Sequence, residues 1–193
     1  MKHRSPSPSA GEAGADLAHL ADWIAQAAFP LGLTNYASPE DIMRRGVLPA
    51  YLLPKLLRRE VAGSWAELGP GSGAIGLALA CFSPAAHVTL VDRRARVTAY
   101  LDVSITRLSL PNATATTIAL TSQPGPSWVG VCFRALAQPP HALQVAAAHA
   151  RCWICAWHSS GMTAYDCPPK GFVGVARTAA LADGLCATLY RRR

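Results

Sequence analysis

The stretch "ELGPGSGAIGLALA" (67–80) places four glycines within eight positions, between an acidic residue and an apolar run. A chain that gives up so much backbone order at a helix start has two physical reasons to do so. A tight turn can require positive φ, or a ligand must approach the main chain more closely than side chains allow. The flanking residues narrow the fold. "SWAEL" before the turn reads as a short strand, "AIGLALACF" after it as a buried helix, and "HVTLVD" as a second strand ending in an acid. Strand, glycine turn, helix and strand in that order form a parallel pair joined by a crossover helix, with ligands expected beyond the carboxyl ends of the strands.

The alternation continues. "RARVTAYLDVSITRL" carries an apolar stripe at helical spacing through Val97, Leu101, Ile105 and Leu108. "ATATTIAL" and "SWVGVCFRA" read as strands, "HALQVAAAHA" as a helix and "RCWICAW" as a fifth strand. "GFVGVARTAALADGLCATLYRRR" can supply two last antiparallel strands. The expected fold class is α/β, a mostly parallel doubly wound sheet with helices on both faces. An N-terminal helical extension precedes it. "LAHLADWIAQAA" (17–28) is helical. In "SPEDIMRRGVLPAYLLPKLLRR" Ser38 can cap, Pro39 suits the first position, and Pro49 and Pro54 break the remainder into short pieces. Residues 1–16, rich in Ser, Pro, Gly and Ala, are expected to be a flexible leader. Residues 17–193 are expected to form a single domain, 17–62 helical and 63–193 the α/β core, a size that suits 193 residues.

The leader lacks the apolar stretch of a secretory signal, and no run is long enough to cross a bilayer. The six cysteines lie mostly in apolar surroundings and fit a reducing cytoplasm. "CWIC" is formally a CxxC pair, but on a strand its sulfurs would face opposite sides, so no metal site is expected. The formal charge of +7 fits a polyanionic partner as well as it fits a generic basic surface.

Gly69, Gly71 and Gly73 would let backbone pass close beneath a ligand, and Gly76 would permit tight helix–sheet packing. Asp92 ends the second strand nineteen residues past Gly73, where a carboxylate can accept both hydroxyl protons of a ribose. The order of acid, three alternating glycines, a fourth glycine and a strand-terminal acid looks like the S-adenosylmethionine site of class I methyltransferases. A dinucleotide site and a purely structural turn stay open as alternatives. Glu67, just before the first glycine, favours the methyltransferase reading.

Longer segments narrow the resemblance. "LTNYASPEDIMRRGVLPAYLL" (33–53), "ELGPGSGAIGLALA", "VTLVDRRARVTAYLDVSITRLSLPNAT" and "VCFRALA" resemble, in order and spacing, the RsmG or GidB family of 16S ribosomal RNA guanine-N7 methyltransferases. The resemblance implies a Rossmann-like fold, S-adenosyl-L-methionine as cofactor, ribosomal RNA or the small ribosomal subunit as partner, no membrane and a monomeric state. It implies cofactor binding by Glu67, Gly69, Pro70, Gly71, Ser72, Gly73, Gly76, Asp92 and Arg93. Arg134, at the end of the fourth strand, would be catalytic, presenting donors to guanine O6 or a phosphate. Arg44, Arg45, Arg94, Arg96, Arg134 and His158 would meet RNA, with Lys55, Arg58 and Arg59 extending the basic face. A solvated helix face is the plain alternative for these cations. Trp128, Trp153 and Trp157 read as core, with base stacking as the alternative.

The chain also departs from the family pattern. "RRGVLPAY" replaces a histidine followed by an Asp–Ser pair. "IALTSQPGPSW" lacks an acid at the adenine pocket, and His158 with "SSG" stands where Lys–Gly is typical. A small-molecule methyltransferase derived from the family, or a binding protein that keeps the fold without activity, therefore stand beside the RNA reading.

Overall fold

A computed structural model describes residues 10–181 and 183–193, with side-chain surroundings from residue 17 onward. Helix α1 (Ala10–Ala27) begins ahead of the expected start at Leu17, so helix replaces the expected leader over 10–16; the rest of the leader lies outside the described residues. Beyond it, α2 (Pro39–Ile42) starts where the sequence places a cap: the Ser38 Oγ accepts the Asp41 N–H at 3.1 Å. Short helical pieces follow as expected, with Pro49 near the start of one and Pro54 inside another. A wide turn (Met43–Val47) passes into a tight one (Leu48–Tyr51) and then α3 (Leu52–Leu57), which stops at Arg58 with φ +53.

The core is built from β1 (Gly63–Leu68), α4 (Ala74–Phe82), β2 (Ala86–Asp92), α5 (Ala95–Arg107), β3 (Ala113–Thr117), β4 (Trp128–Arg134), α6 (Pro139–His149), β5 (Ala150–Ser159), β6 (Phe172–Arg177) and β7 (Leu185–Arg192). The strands form one sheet in the order β3-β2-β1-β4-β5-β7-β6. β1 to β5 run parallel, while β7 lies antiparallel between β5 and β6. The expected α/β sheet is therefore present, including its two antiparallel closing strands. Only the first five of the eight residues in "ATATTIAL" are strand; Ile118 N–H still donates to Asp92 O at 3.1 Å before the chain leaves the sheet.

Period-2 alternation sends side chains to two cores. Trp65, Leu90, Cys132, Cys155 and Trp157 join α1, α3, α4 and α5 on one face, while Leu68, Val91, Val131, Phe133 and Ile154 meet α6 on the other. The helical extension is fastened to the first face. Trp157 Nε1 donates to Pro49 O at 2.9 Å, and a Cβ on Gly46 would lie 3.0 Å from the Ala74 Cβ. That close approach brings the Arg44–Arg45 turn beside the start of α4. Of the other tryptophans, Trp128 is buried with Nε1 donating to Thr89 Oγ1, and half-buried Trp153 lies under Arg59.

The chain builds β1, β2 and β3 outward, then returns to lay β4 on the other side of β1. Connections leave β1 and β4 in opposite directions, opening a crevice at their carboxyl ends. The glycine turn extends one of these strands and Arg134 ends the other.

Candidate active site

Both explanations for the glycines have structural content. Gly69, Gly71 and Gly73 have φ of +64, +55 and +74, which L side chains rarely adopt. At Gly73 packing adds a second reason, since a Cβ would sit 2.6 Å from Leu101 Cδ2 and 2.9 Å from Leu77 Cδ1. Gly76 serves a different purpose. A Cβ there would fall 2.3 Å from Leu90 Cδ2 and 2.6 Å from Glu67 Oε2. Its bareness lets α4 settle against β1 and β2, and its N–H donates to Glu67 Oε2 at 2.8 Å. That N–H is committed within the protein.

Glu67 is the buried carboxyl of the crevice, 3% exposed. Burial pushes its pKa up to about 8, against the opposing pull of the Gly76 N–H and the Arg134 charge. Arg134 reaches over the end of β4 and donates through Nη1 to Arg45 O, tying the sheet to the helical extension. Ala135 comes next with φ +51, turning the chain sharply at the mouth.

Asp92 ends β2 with its side chain nearly buried. Oδ1 accepts from the Arg94 backbone N–H and from Arg94 Nε, both at 3.0 Å, and Oδ2 accepts from Arg94 Nη2 at 2.9 Å. Burial alone would raise its pKa. The Arg94 hydrogen bonds and charge, helped by Arg93, outweigh this and hold the carboxyl below its ordinary value.

Two cavities meet at Gly69 and Ala135. The larger, about 590 Å³, has apolar walls from Ile118, Leu120, Leu136 and Val145, with Asp92, Arg93, Arg94 and His141 as its charged or ionisable lining. The smaller, about 290 Å³, is bounded by Glu67, Pro70, Gly71, Ser72 and Arg134 on one side and by Thr34, Asn35 and Tyr36 on the other. The loop beginning at Ile118 is tied down by His149, whose ring nitrogens lie 2.7 Å from Pro126 O and 2.9 Å from Thr121 O. Together the cavities offer an apolar slot, a carboxylate at its wall, a bare backbone ledge and a polar chamber beyond.

Residues 14–150 match the family described as GidB: rRNA small subunit methyltransferase G. The chain belongs to the GidB family. Ribosomal RNA small subunit methyltransferase G of Thermotoga neapolitana is 33% identical over 84 residues, which make up 44% of this chain and 36% of that protein. The chain thus spans little more than a third of the curated relative that it matches. Among solved structures, a SAM dependent methyltransferase from Aquifex aeolicus has a TM-score of 0.63 at 12% identity, covering 85% of this chain and 98% of the other. Coclaurine N-methyltransferase, solved with N-methylheliamine and SAH, has a TM-score of 0.63 at 10% identity, covering 97% and 89%. At these identities the likeness is one of fold.

The GidB resemblance singled out more residues than the crevice gathers. Glu67, Gly69, Pro70, Gly71, Ser72 and Arg134 line its smaller cavity, and Asp92, Arg93 and Arg94 its larger one. Gly73 and Gly76 shape the turn from beneath. Arg45 stands at the rim: its guanidinium lies 5.7 Å from the Tyr36 ring centroid, and its Nε is 3.4 Å from Asp41 Oδ1 without forming a hydrogen bond. Arg44 is exposed and paired with Asp41 at 2.9 Å, and Arg96 is exposed on the first turn of α5. Arg44, Arg45 and Arg96 line neither cavity.

His158 is the correction. It is 4% exposed, with Nε2 2.8 Å from Thr188 Oγ1 and Nδ1 2.9 Å from Ser159 O, and its ring stacks on Tyr165 at 4.2 Å. Both nitrogens are satisfied inside the β5–β7 packing and nothing directs the ring into the crevice, so the expected contact with RNA is withdrawn. Thr34, Asn35, Tyr36 and His141 are cavity residues that the sequence reading passed over. A signal existed for His141, since "QPPHAL" announces a helix start just past a strand end. Residues 34–36 lie in the family-like segment 33–53, but that likeness named no site residue among them; the loop itself meets the glycine turn, with Leu33 O 3.3 Å from where a Cβ on Gly71 would sit.

Proposed function

We propose that this chain is an S-adenosylmethionine-dependent methyltransferase acting on N7 of a guanine in 16S ribosomal RNA, within the cytoplasm. The observation that carries this reading is the joining of the two cavities over the Gly69–Gly71 ledge. An apolar slot suited to a purine and a carboxylate suited to a ribose lie on one side, and a polar chamber holding Glu67 and Arg134 on the other. Membership of the GidB family supports the choice of substrate.

The residues fit the cofactor. Ile118, Leu120, Leu136 and Val145 would sandwich the adenine, Asp92 would accept the ribose hydroxyls, and the bare ledge would carry the chain toward sulfur. Glu67, buried and proton-bearing in the free protein, would become a counter-charge for an ammonium group. The cofactor supplies a methyl group already activated by a positively charged sulfur. Guanine N7, which carries a lone pair and no proton, would be the methyl acceptor. No proton is transferred, so the site requires no general base. The protein's work is alignment and exclusion of water. Arg134 would hold guanine O6 or a flanking phosphate, because a donor aimed at N7 itself would compete with transfer. Arg45 and Arg93 would meet the RNA backbone, making binding strongly salt-dependent.

The test has two stages. Calorimetry with S-adenosylmethionine and S-adenosylhomocysteine should show binding to the full chain. Methyl-labelled cofactor incubated with small ribosomal subunits or deproteinised 16S RNA lacking the modification should then yield 7-methylguanine on nucleoside analysis. Binding without label in RNA, alongside labelling of a small metabolite, would replace the RNA reading with the small-molecule one. Absence of any binding would leave a fold kept without this chemistry.

A further inference from the structure

Asp92 is already engaged. A carboxylate presents about four lone-pair directions, and three are taken by the Arg94 backbone N–H, Nε and Nη2 at 2.9–3.0 Å. A vicinal diol donating two hydroxyls requires two directions and finds one. At least one guanidinium bond must therefore break when a ribose docks. The carboxylate cannot retreat, since the Asp92 side chain is 4% exposed, whereas the Arg94 side chain is 47% exposed and free to swing into solvent. Two further exposed arginines, Arg93 and Arg96, stand within two residues of it in the sequence. Three like charges there repel one another unless an anion joins them. A phosphate can take a guanidinium through two parallel hydrogen bonds, as the Asp92 carboxylate does here.

We infer that Arg94 is an exchangeable plug: in the free protein it occupies the ribose acceptor, and a backbone phosphate of bound RNA draws it away. RNA and cofactor then bind with positive cooperativity. This rests on the cofactor reading above and adds a coupling between the two ligands of that site. Linkage makes the coupling reciprocal, so bound cofactor must tighten RNA by the same factor.

The experiment is calorimetric titration of S-adenosylhomocysteine into the full chain and into its Arg94→Ala and Arg94→Gln variants at low salt. Each is measured with and without a short single-stranded RNA oligonucleotide. Two variants are run so that a folding defect in one does not decide the result. For the unaltered chain, RNA should tighten S-adenosylhomocysteine on the order of tenfold, the usual scale of such couplings. Both variants should bind it tighter by a similar factor without RNA, and RNA should add nothing. Variants that bind like the unaltered chain or more weakly would overturn the plug, as would RNA tightening all three equally. If none of the three binds S-adenosylhomocysteine under any condition, the cofactor reading falls and takes the plug with it. Tight binding by the unaltered chain with no gain in the variants sinks the plug alone.

Discussion

Glu67 offers a measurement in which burial outweighs the opposing Gly76 N–H and Arg134 charge. Its carboxyl carries an ordinary value of 4.5 and is pushed up to about 8 in the folded chain. The folded protein therefore holds a proton, between those two pH values, that the unfolded chain has released. A raised folded-state value means that the group's contribution is intact below about pH 4.5 and is lost as the pH climbs toward 8. At about 1.4 kcal/mol per pH unit, the loss reaches up to roughly 5 kcal/mol once Glu67 is ionised in both states. Glu67→Gln removes the titration while keeping an oxygen for the Gly76 N–H and a shape like that of the protonated acid. Urea unfolding of both proteins between pH 5 and 9 isolates the effect, because every other titrating group cancels in the difference. The variant should gain stability relative to the unaltered chain as the pH rises from 6 to 8, with a slope near 1.4 kcal/mol per unit, and then level off. A difference that stays flat across the range would refute the buried, proton-bearing carboxyl.

Other perturbations separate binding from packing. Asp92→Ala should weaken S-adenosylhomocysteine binding by about 1–3 kcal/mol through lost charged hydrogen bonds; calorimetry showing unchanged affinity would remove Asp92 from the ribose site. Gly76→Ala drives a methyl group to within 2.3 Å of Leu90 Cδ2, so chemical denaturation should reveal a loss of about 1–3 kcal/mol, and full stability would show that α4 can yield. His158→Ala empties a buried, hydrogen-bonded position and should cost about 1–3 kcal/mol of folding stability while leaving S-adenosylhomocysteine affinity as it was. Weakened affinity at undiminished stability would return His158 to the site.

Much of the fold was legible because local and global preferences agree. The alternation of strands with amphipathic helices predicts the parallel sheet, and the Val/Ala-rich stretches at the end can supply the two antiparallel strands found as β6 and β7. Ser38 and Pro39 mark the start of α2 to the residue. The expectations that failed concern partners distant in sequence. The composition of "IAL" suits a strand, yet Ile118 and Leu120 turn into a cavity wall. Analogy with a family position puts His158 at the site, yet Thr188, Ser159 and Tyr165 absorb both of its nitrogens and one face of its ring.

The amino-acid order alone determined that three glycines must turn between an acid and a buried helix, and that a second acid must close the next strand. Periodicity and the absence of Cβ atoms act over a few residues, so they can be read without coordinates. What only the tertiary structure decided is the state of those acids. The sequence offers Glu67 and Asp92 as two similar carboxyls, but the fold seals one beneath the Gly76 N–H and hands the other to Arg94. Charge and hydrogen-bonding state depend on burial and on partners brought in from elsewhere along the chain, and these exist only once the sheet has closed.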